Sequence, residues 1–334
     1  MMLPASFRSF PSRKKHEVAS FMVAMLRRGA SCAVLLLPGQ ASQAQEATVG
    51  VPPPIESDIR KIEGIFGSDL PTTERKGSVR LIVHPHFGDL TNRDYIRVLM
   101  GLRMGVTDHL ELFTGVEPYI DHGLKSTSPG TGIGDVRFGG KYGFGESLIP
   151  GYESSVGLNL FFPVGHPPVG MTNGRNEYSP YFVIGKRIAS HPGLTLFLNT
   201  GVNFLQNTSI PGSFERNTPH SSSLSITPGI VYTRYPFHYT LELTYETTSL
   251  IGEGSQQFIT VRPGIAWDLP PKLKFHSKGR VTIAAGLHVT FGPDGTSTGG
   301  GGKLRAEFGL SRWFRRDAKD TGLPDTLRDS SLRR

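Results

Sequence analysis

Two histidines stand two residues apart in His84-Pro85-His86. On an extended strand they share one face, and that spacing can hold a metal ion if a third ligand joins them. The sequence supplies no third ligand at a recognisable spacing, and His122 lies in a different connection. The pair therefore reads as two polar side chains; neither a metal nor a cofactor is expected. Serines and histidines are scattered, and no Gly-x-Ser-x-Gly elbow occurs, so no catalytic residue is assigned. His238 and His288 fall on the polar faces of separate strands, with no triad visible around either. The glycine-rich runs "GIGDVRFGG" and "TGGGGK" do not open a helix after a strand, as a phosphate loop must. Gly299–Gly302 reads instead as a flexible surface loop.

Charge is the most informative chemistry that remains. In "IGDVRFGGKYGFG", Asp135, Arg137 and Lys141 occupy one alternation and Val136, Phe138, Tyr142 and Phe144 the other. Successive side chains of a strand point to opposite faces, so a period of two separates them. The same division recurs from Gly77 to Phe314. Ile96, Val98, Met100, Leu102 and Met104 oppose Arg97, Gly101 and Arg103. Leu110, Leu112 and Val116 oppose Glu111 and Glu117. Tyr239, Leu241, Leu243 and Tyr245 oppose His238, Glu242 and Glu246, and Ile259, Val261 and Ile265 oppose Arg262. Val281, Ile283, Ala285, Leu287, Val289 and Phe291 oppose Arg280 and His288, and Leu304, Ala306 and Phe308 oppose Arg305 and Glu307.

About twelve such segments, each of roughly nine to thirteen residues, have the length of tilted bilayer-crossing strands. Soluble strands are nearer five or six residues. An even count suits a closed barrel in the outer membrane of a Gram-negative cell. Connections alternate as well. Val106–His109, Ser190–Pro192 and Tyr235–Pro236 are short, and Gly145–Gly151 is moderate. His122–Gly132, Gly165–Glu177, Asn207–Ser221 and Gly292–Gly302 are longer. The expected fold is an all-β, transmembrane antiparallel up-and-down β-barrel, with short periplasmic turns and longer extracellular loops. Its apolar face meets outer-membrane lipid. Its charged face lines the lumen, because a wet bore tolerates charges that a dry core does not. The lumen-lining set is Arg97, Arg103, Glu111, Glu117, Asp135, Arg137, Lys141, Glu242, Glu246, Arg262, Arg280, His288, Arg305 and Glu307. Opposite signs on neighbouring strands would pair and narrow the bore.

The flanks differ in composition. Met25 onward gives Arg27-Arg28, an apolar stretch Ala33 to Leu37, and Ser42-Gln43-Ala44, the order of a secretory signal peptide. Residues 1–44 are expected to be that peptide, with the natural start at Met22 or Met25. They hold six Lys/Arg and one acidic residue, a net of +5 out of +8 for the chain, so the exported part is near +3. The high overall charge is therefore no sign of nucleic acid, and no nucleic-acid partner is expected. Cys32, the only cysteine, leaves with the leader, which excludes a disulfide scaffold. Residues 45–76 are Pro-rich and mixed in charge, a periplasmic linker or a plug segment; 77–314 form the barrel and 315–334 a polar tail.

"GVTDHLEL" (Gly105–Leu112), "GIGDVRFGGKY" (Gly132–Tyr142), the paired "TPGIVY" and "RPGIAW", and "FGLSRWF" (Phe308–Phe314) together resemble the meta-pathway phenol-degradation family of outer-membrane transporters. The resemblance spans most of residues 77–314. It implies a small barrel, inserted by the outer-membrane assembly machinery, with channel or transport activity for small, often hydrophobic or aromatic solutes. Outer-membrane chains usually end on an aromatic residue, whereas twenty residues follow Phe314 here. The expected function is a narrow channel and not an enzyme. Two alternatives stand beside it: a non-conducting barrel that anchors loops, and a secreted β-sandwich that binds carbohydrate or protein.

Overall fold

The computed structural model describes residues 67–86, 94–124, 130–168, 171–213, 217–270 and 280–309. The expected leader, most of the 45–76 stretch, Phe314 and the tail lie outside the described residues. Twelve strands follow one another: β1 (Ser78–Pro85), β2 (Tyr95–Gly105), β3 (Leu110–Asp121), β4 (Thr131–Ile149), β5 (Tyr152–Pro163), β6 (Arg175–Arg187), β7 (Leu194–Asn207), β8 (Ser223–Arg234), β9 (Phe237–Thr247), β10 (Gln257–Asp268), β11 (Arg280–Gly292) and β12 (Gly295–Gly309). Each pairs antiparallel with its chain neighbours, and β12 returns to pair with β1 from Ser78↔Gly309 to Val83↔Leu304. The sheet is a closed barrel, so no strand edge is left open. The closure excludes the secreted-sandwich alternative, which needs two separate sheets packed face to face. No helix among the described residues is long and apolar enough to cross a membrane.

Alternation sets which way each side chain points. Leu102, Phe138 and Leu158 are 46%, 46% and 41% exposed, while Glu111 and Lys141 are 1% and 2% exposed. A water-soluble sheet shows the reverse. Here the apolar stripe is the outer surface and the charges are inside.

Glycine shapes the inner wall by size. Phe113, Tyr181 and Phe197 are inward rings lying directly opposite Gly139, Gly157 and Gly229 on the adjacent strand. A Cβ at any of these glycines would overlap the facing ring. Each ring thus lies over the facing glycine of the next strand.

Two connections differ from the sequence reading. Gly292–Gly302 is not a long loop: β11 and β12 meet at Pro293-Asp294, and Gly299–Gly302 are strand residues facing His288 to Ala285. Glycine is disfavoured in strands for its entropy, but the ladder uses only backbone groups, which glycine supplies like any residue. Gly299 also makes room for the His288 ring. At Gly145–Gly151, β4 runs on to Ile149, and the turn shrinks to Pro150-Gly151. Register shifts between Gly143 and Gly145 and between Gly145 and Ile149 absorb the extra residues, helped by the positive φ of 57° at Gly145. One end of the barrel therefore carries the tight turns 106–109, 150–151, 188–193 and 235–236, with the longer 269–279 connection as its exception. The other carries connections 122–130, 164–174, 208–222 and 248–256, with 293–294 as its short exception.

Candidate functional site

Two ion clusters organise the wall formed by β1 to β4. Glu117 on β3 accepts a hydrogen bond from the Arg137 guanidinium of β4 at 2.7 Å. His86 Nε2 lies 3.3 Å from the other carboxylate oxygen and Arg97 of β2 3.8 Å from it. Nearer the tight turns, Glu111 accepts from Arg103 at 2.7 Å and has Lys141 Nζ at 3.7 Å. Neighbouring strands bring these groups together because each contributes one inward residue per two positions at matching height.

The other expected lumen residues are spread around the ring. Glu246 accepts from Ser223 and from Asn203 at 3.1 Å. Arg262 faces Glu242 across the β9–β10 ladder and donates to the Thr244 hydroxyl at 2.8 Å. Asp135 is hydrogen-bonded to Thr172 of the 164–174 connection. His288 is exposed and lies over Gly299. The side chains of Arg280, Arg305 and Glu307 lie outside the described residues. His84 and His86 have ring centroids 4.6 Å apart. His238 is fully buried; Thr233 lies 3.0 Å from its Nδ1 and Asp268 3.2 Å from its Nε2. Asp268 in turn accepts from Thr282 at 2.7 Å. The order resembles a nucleophile–base–acid chain, but the imidazole is enclosed in the wall, where a substrate has no access.

Residues 67–74 belong to the stretch expected as a periplasmic linker or a plug segment, and they lie inside the barrel. Asp69 accepts from Arg103 at 2.9 Å and from Asn159 of β5 at 3.4 Å, and its carbonyl accepts from Asn199 of β7 at 3.2 Å. Ser68 donates to Glu242 of β9 at 3.1 Å, and the Leu70 carbonyl accepts from Lys141 at 3.3 Å. The segment thus spans the bore. It leaves along the rim of the tight-turn end, where Thr73 donates to the Asp108 carbonyl at 3.0 Å and the Glu74 amide to Glu111 at 2.9 Å. The Glu74 carboxylate pairs with Arg80 of β1. Leu70 is buried with Phe197, Val231, Ala266 and Ala284 in an apolar cluster inside the barrel. The signal for it was present: inward-facing apolar residues on strands whose inner faces are otherwise polar.

Above the segment, toward the long connections, the lumen keeps a cavity of about 270 Å³. Gly67, Ser68 and Asp69 line it together with residues of the β1–β5 wall.

A family model described as "Putative MetA-pathway of phenol degradation" matches residues 99–306. Among solved structures, the chain is similar to an outer membrane channel from Pseudomonas putida F1, at 11% identity over 72% of this chain and 98% of that one, with a TM-score of 0.49. It is similar to the KdgM porin at 12% identity over 69% and 98% of the two chains, with a TM-score of 0.40. It is similar to the CymD monoaromatic hydrocarbon channel at 8% identity over 71% and 89%, with a TM-score of 0.37. No curated protein matches the chain in sequence.

Proposed function

This chain belongs to the MetA-pathway phenol-degradation family, and from that premise we propose that it is an outer-membrane channel for small solutes. The observation that carries the reading is the orientation of a closed sheet: apolar side chains cover the outside, and charged ones enclose a cavity. Lipid covers the outer stripe. The tight turns face the periplasm and the long connections the exterior. Residues 1–44 serve as a cleaved export signal, and the outer-membrane assembly machinery inserts the barrel. Arg97, Arg103, Asp135, Arg137, Glu246 and Arg262 line the solute path, Glu111, Glu117, Lys141 and Glu242 support it from buried positions on the inner face, and the protein performs no catalysis.

One observation favours a second reading, a barrel that conducts nothing. Residues 67–74 occupy the bore and bond to strands on several sides of it. Planar-bilayer recording separates the two. The channel reading expects ion current from the folded full chain, and more current when residues 67–74 are replaced by a Gly/Ser stretch of equal length. Silence from both proteins, each folded by heat-modifiable gel migration, identifies an anchoring barrel.

A further inference from the structure

Two carboxylates of the β1–β4 wall, Glu111 and Glu117, stand behind their cations. Glu111 and Glu117 are each 1% exposed, whereas Arg103, Arg137 and His86 beside them are 11%, 25% and 30% exposed. Arg103, Arg137, His84 and His86 all line the cavity, and of its lining residues only Asp69 is acidic. A solute there meets the cation at short range and the compensating anion at longer range. Coulomb energy falls with distance, so the inner surface favours an anion even though the wall as a whole is nearly neutral.

The same cavity has flat apolar surfaces. Phe113 lies under the Arg103 guanidinium at 5.3 Å and Phe161 under that of Arg137 at 4.8 Å. Both rings line the cavity, as do Ile82 and Leu99. Three atoms of its lining residues, His86 Nε2, Arg137 Nε and Asn159 Oδ1, are buried without a hydrogen bond.

We infer that this cavity is a binding site for a small carboxylate carrying a flat apolar body. The carboxylate sits against Arg137, flanked by His86, and the body against Phe161 and Phe113. At about 270 Å³ the cavity falls just below the roughly 300–1,000 Å³ of pockets that take drug-sized ligands, so a single ring fits. The inference deepens the channel reading of the lumen and rests on it for the source of the solute.

The test is isothermal titration calorimetry on the full chain folded in detergent. The probes are sodium benzoate, benzamide (the same shape without charge) and sodium acetate (the charge without a ring). Benzoate is expected to bind at least tenfold more tightly than either. Arg137→Gln should weaken benzoate tenfold or more and leave benzamide unchanged. Arg137→Lys, which keeps the charge beside Glu117, should retain most of the benzoate affinity and guards against a fold defect in the glutamine variant. Equal affinity for benzoate and benzamide would overturn the carboxylate assignment. Equal affinity for benzoate and acetate would overturn the apolar part, and no benzoate heat at millimolar concentration would overturn both. Calorimetry needs no current, so a barrel that binds benzoate yet never conducts sinks the channel reading alone.

Discussion

Replacing Asp69 with alanine should open the bore more often without disturbing the barrel. Asp69 and Arg103 are both 11% exposed and meet at 2.9 Å. A hydrogen bond to a charged group contributes about 1.5–3 kcal/mol, so the loss is taken as about 2 kcal/mol. Arg103 is not stranded, because Glu111 still holds it at 2.7 Å. The heavy penalty for an orphaned buried charge therefore does not arise. The Asn199 bond to the Asp69 carbonyl and the Lys141 bond to the Leu70 carbonyl also survive, since both use the backbone. Leu70 keeps its burial, about 1.5–3 kcal/mol. The segment thus remains docked most of the time, but its undocked fraction rises roughly 30-fold, at a factor of ten per 1.4 kcal/mol. Single-channel recording should show an open probability higher by about that factor, at unchanged unit conductance and unchanged heat-modifiable migration. Equal open probability in the wild type, Asp69→Ala and Leu70→Ala would refute the idea that this segment closes the bore. A changed unit conductance at constant open probability would make Asp69 part of the ion path instead.

Three further outcomes test the wall and the rim. Leu158→Arg places a charge on the lipid face of β5 and should cost about 2–4 kcal/mol in urea titrations of refolding into vesicles, whereas Tyr235→Arg, in a tight turn, should cost about 0–1 kcal/mol. Gly157→Val puts side-chain atoms where the Tyr181 ring lies and should lower barrel stability by about 1–3 kcal/mol, read as a shifted urea midpoint. Asn217, buried with φ 58°, donates to the Gly295 carbonyl at 2.9 Å and accepts from the Asp294 amide at 3.1 Å, clasping the β11–β12 turn to the 208–222 connection. Asn217→Ala should release that clasp, and limited proteolysis of the folded protein should then cut the 208–222 connection sooner than in the wild type.

The strand count, and the facing of the strands whose side chains are described, were legible because both follow from a period of two, which is a local property of the chain. Val136 and Phe138 cannot share a face with Arg137 on any strand, whatever surrounds it. Boundaries were legible only where turn chemistry interrupts the period, as at Tyr235-Pro236. At Gly299–Gly302 composition misled. Four glycines in a row imply mobility, but β11 offers a complete set of backbone partners from Gly292 to Arg280. A ladder of that length outweighs the entropy of a few glycines.

The inner segment was legible only as one of two alternatives, a linker or a plug, because Gly67 to Lys76 has no period. The partners of its residues lie far away in sequence: Asp69 and Asn199 are 130 positions apart, and Ser68 and Glu242 are 174 apart. Local pattern carries no information about such contacts. The complement was written on the wall, however. Phe197, Val231, Ala266 and Ala284 face inward among threonines, asparagines and glutamates, and each is at most 5% exposed. A bore holding only water would leave those four side chains wet. Ala266 and Ala284 face each other across β10–β11, and Leu70 of the inner segment completes the buried cluster with Phe197 and Val231.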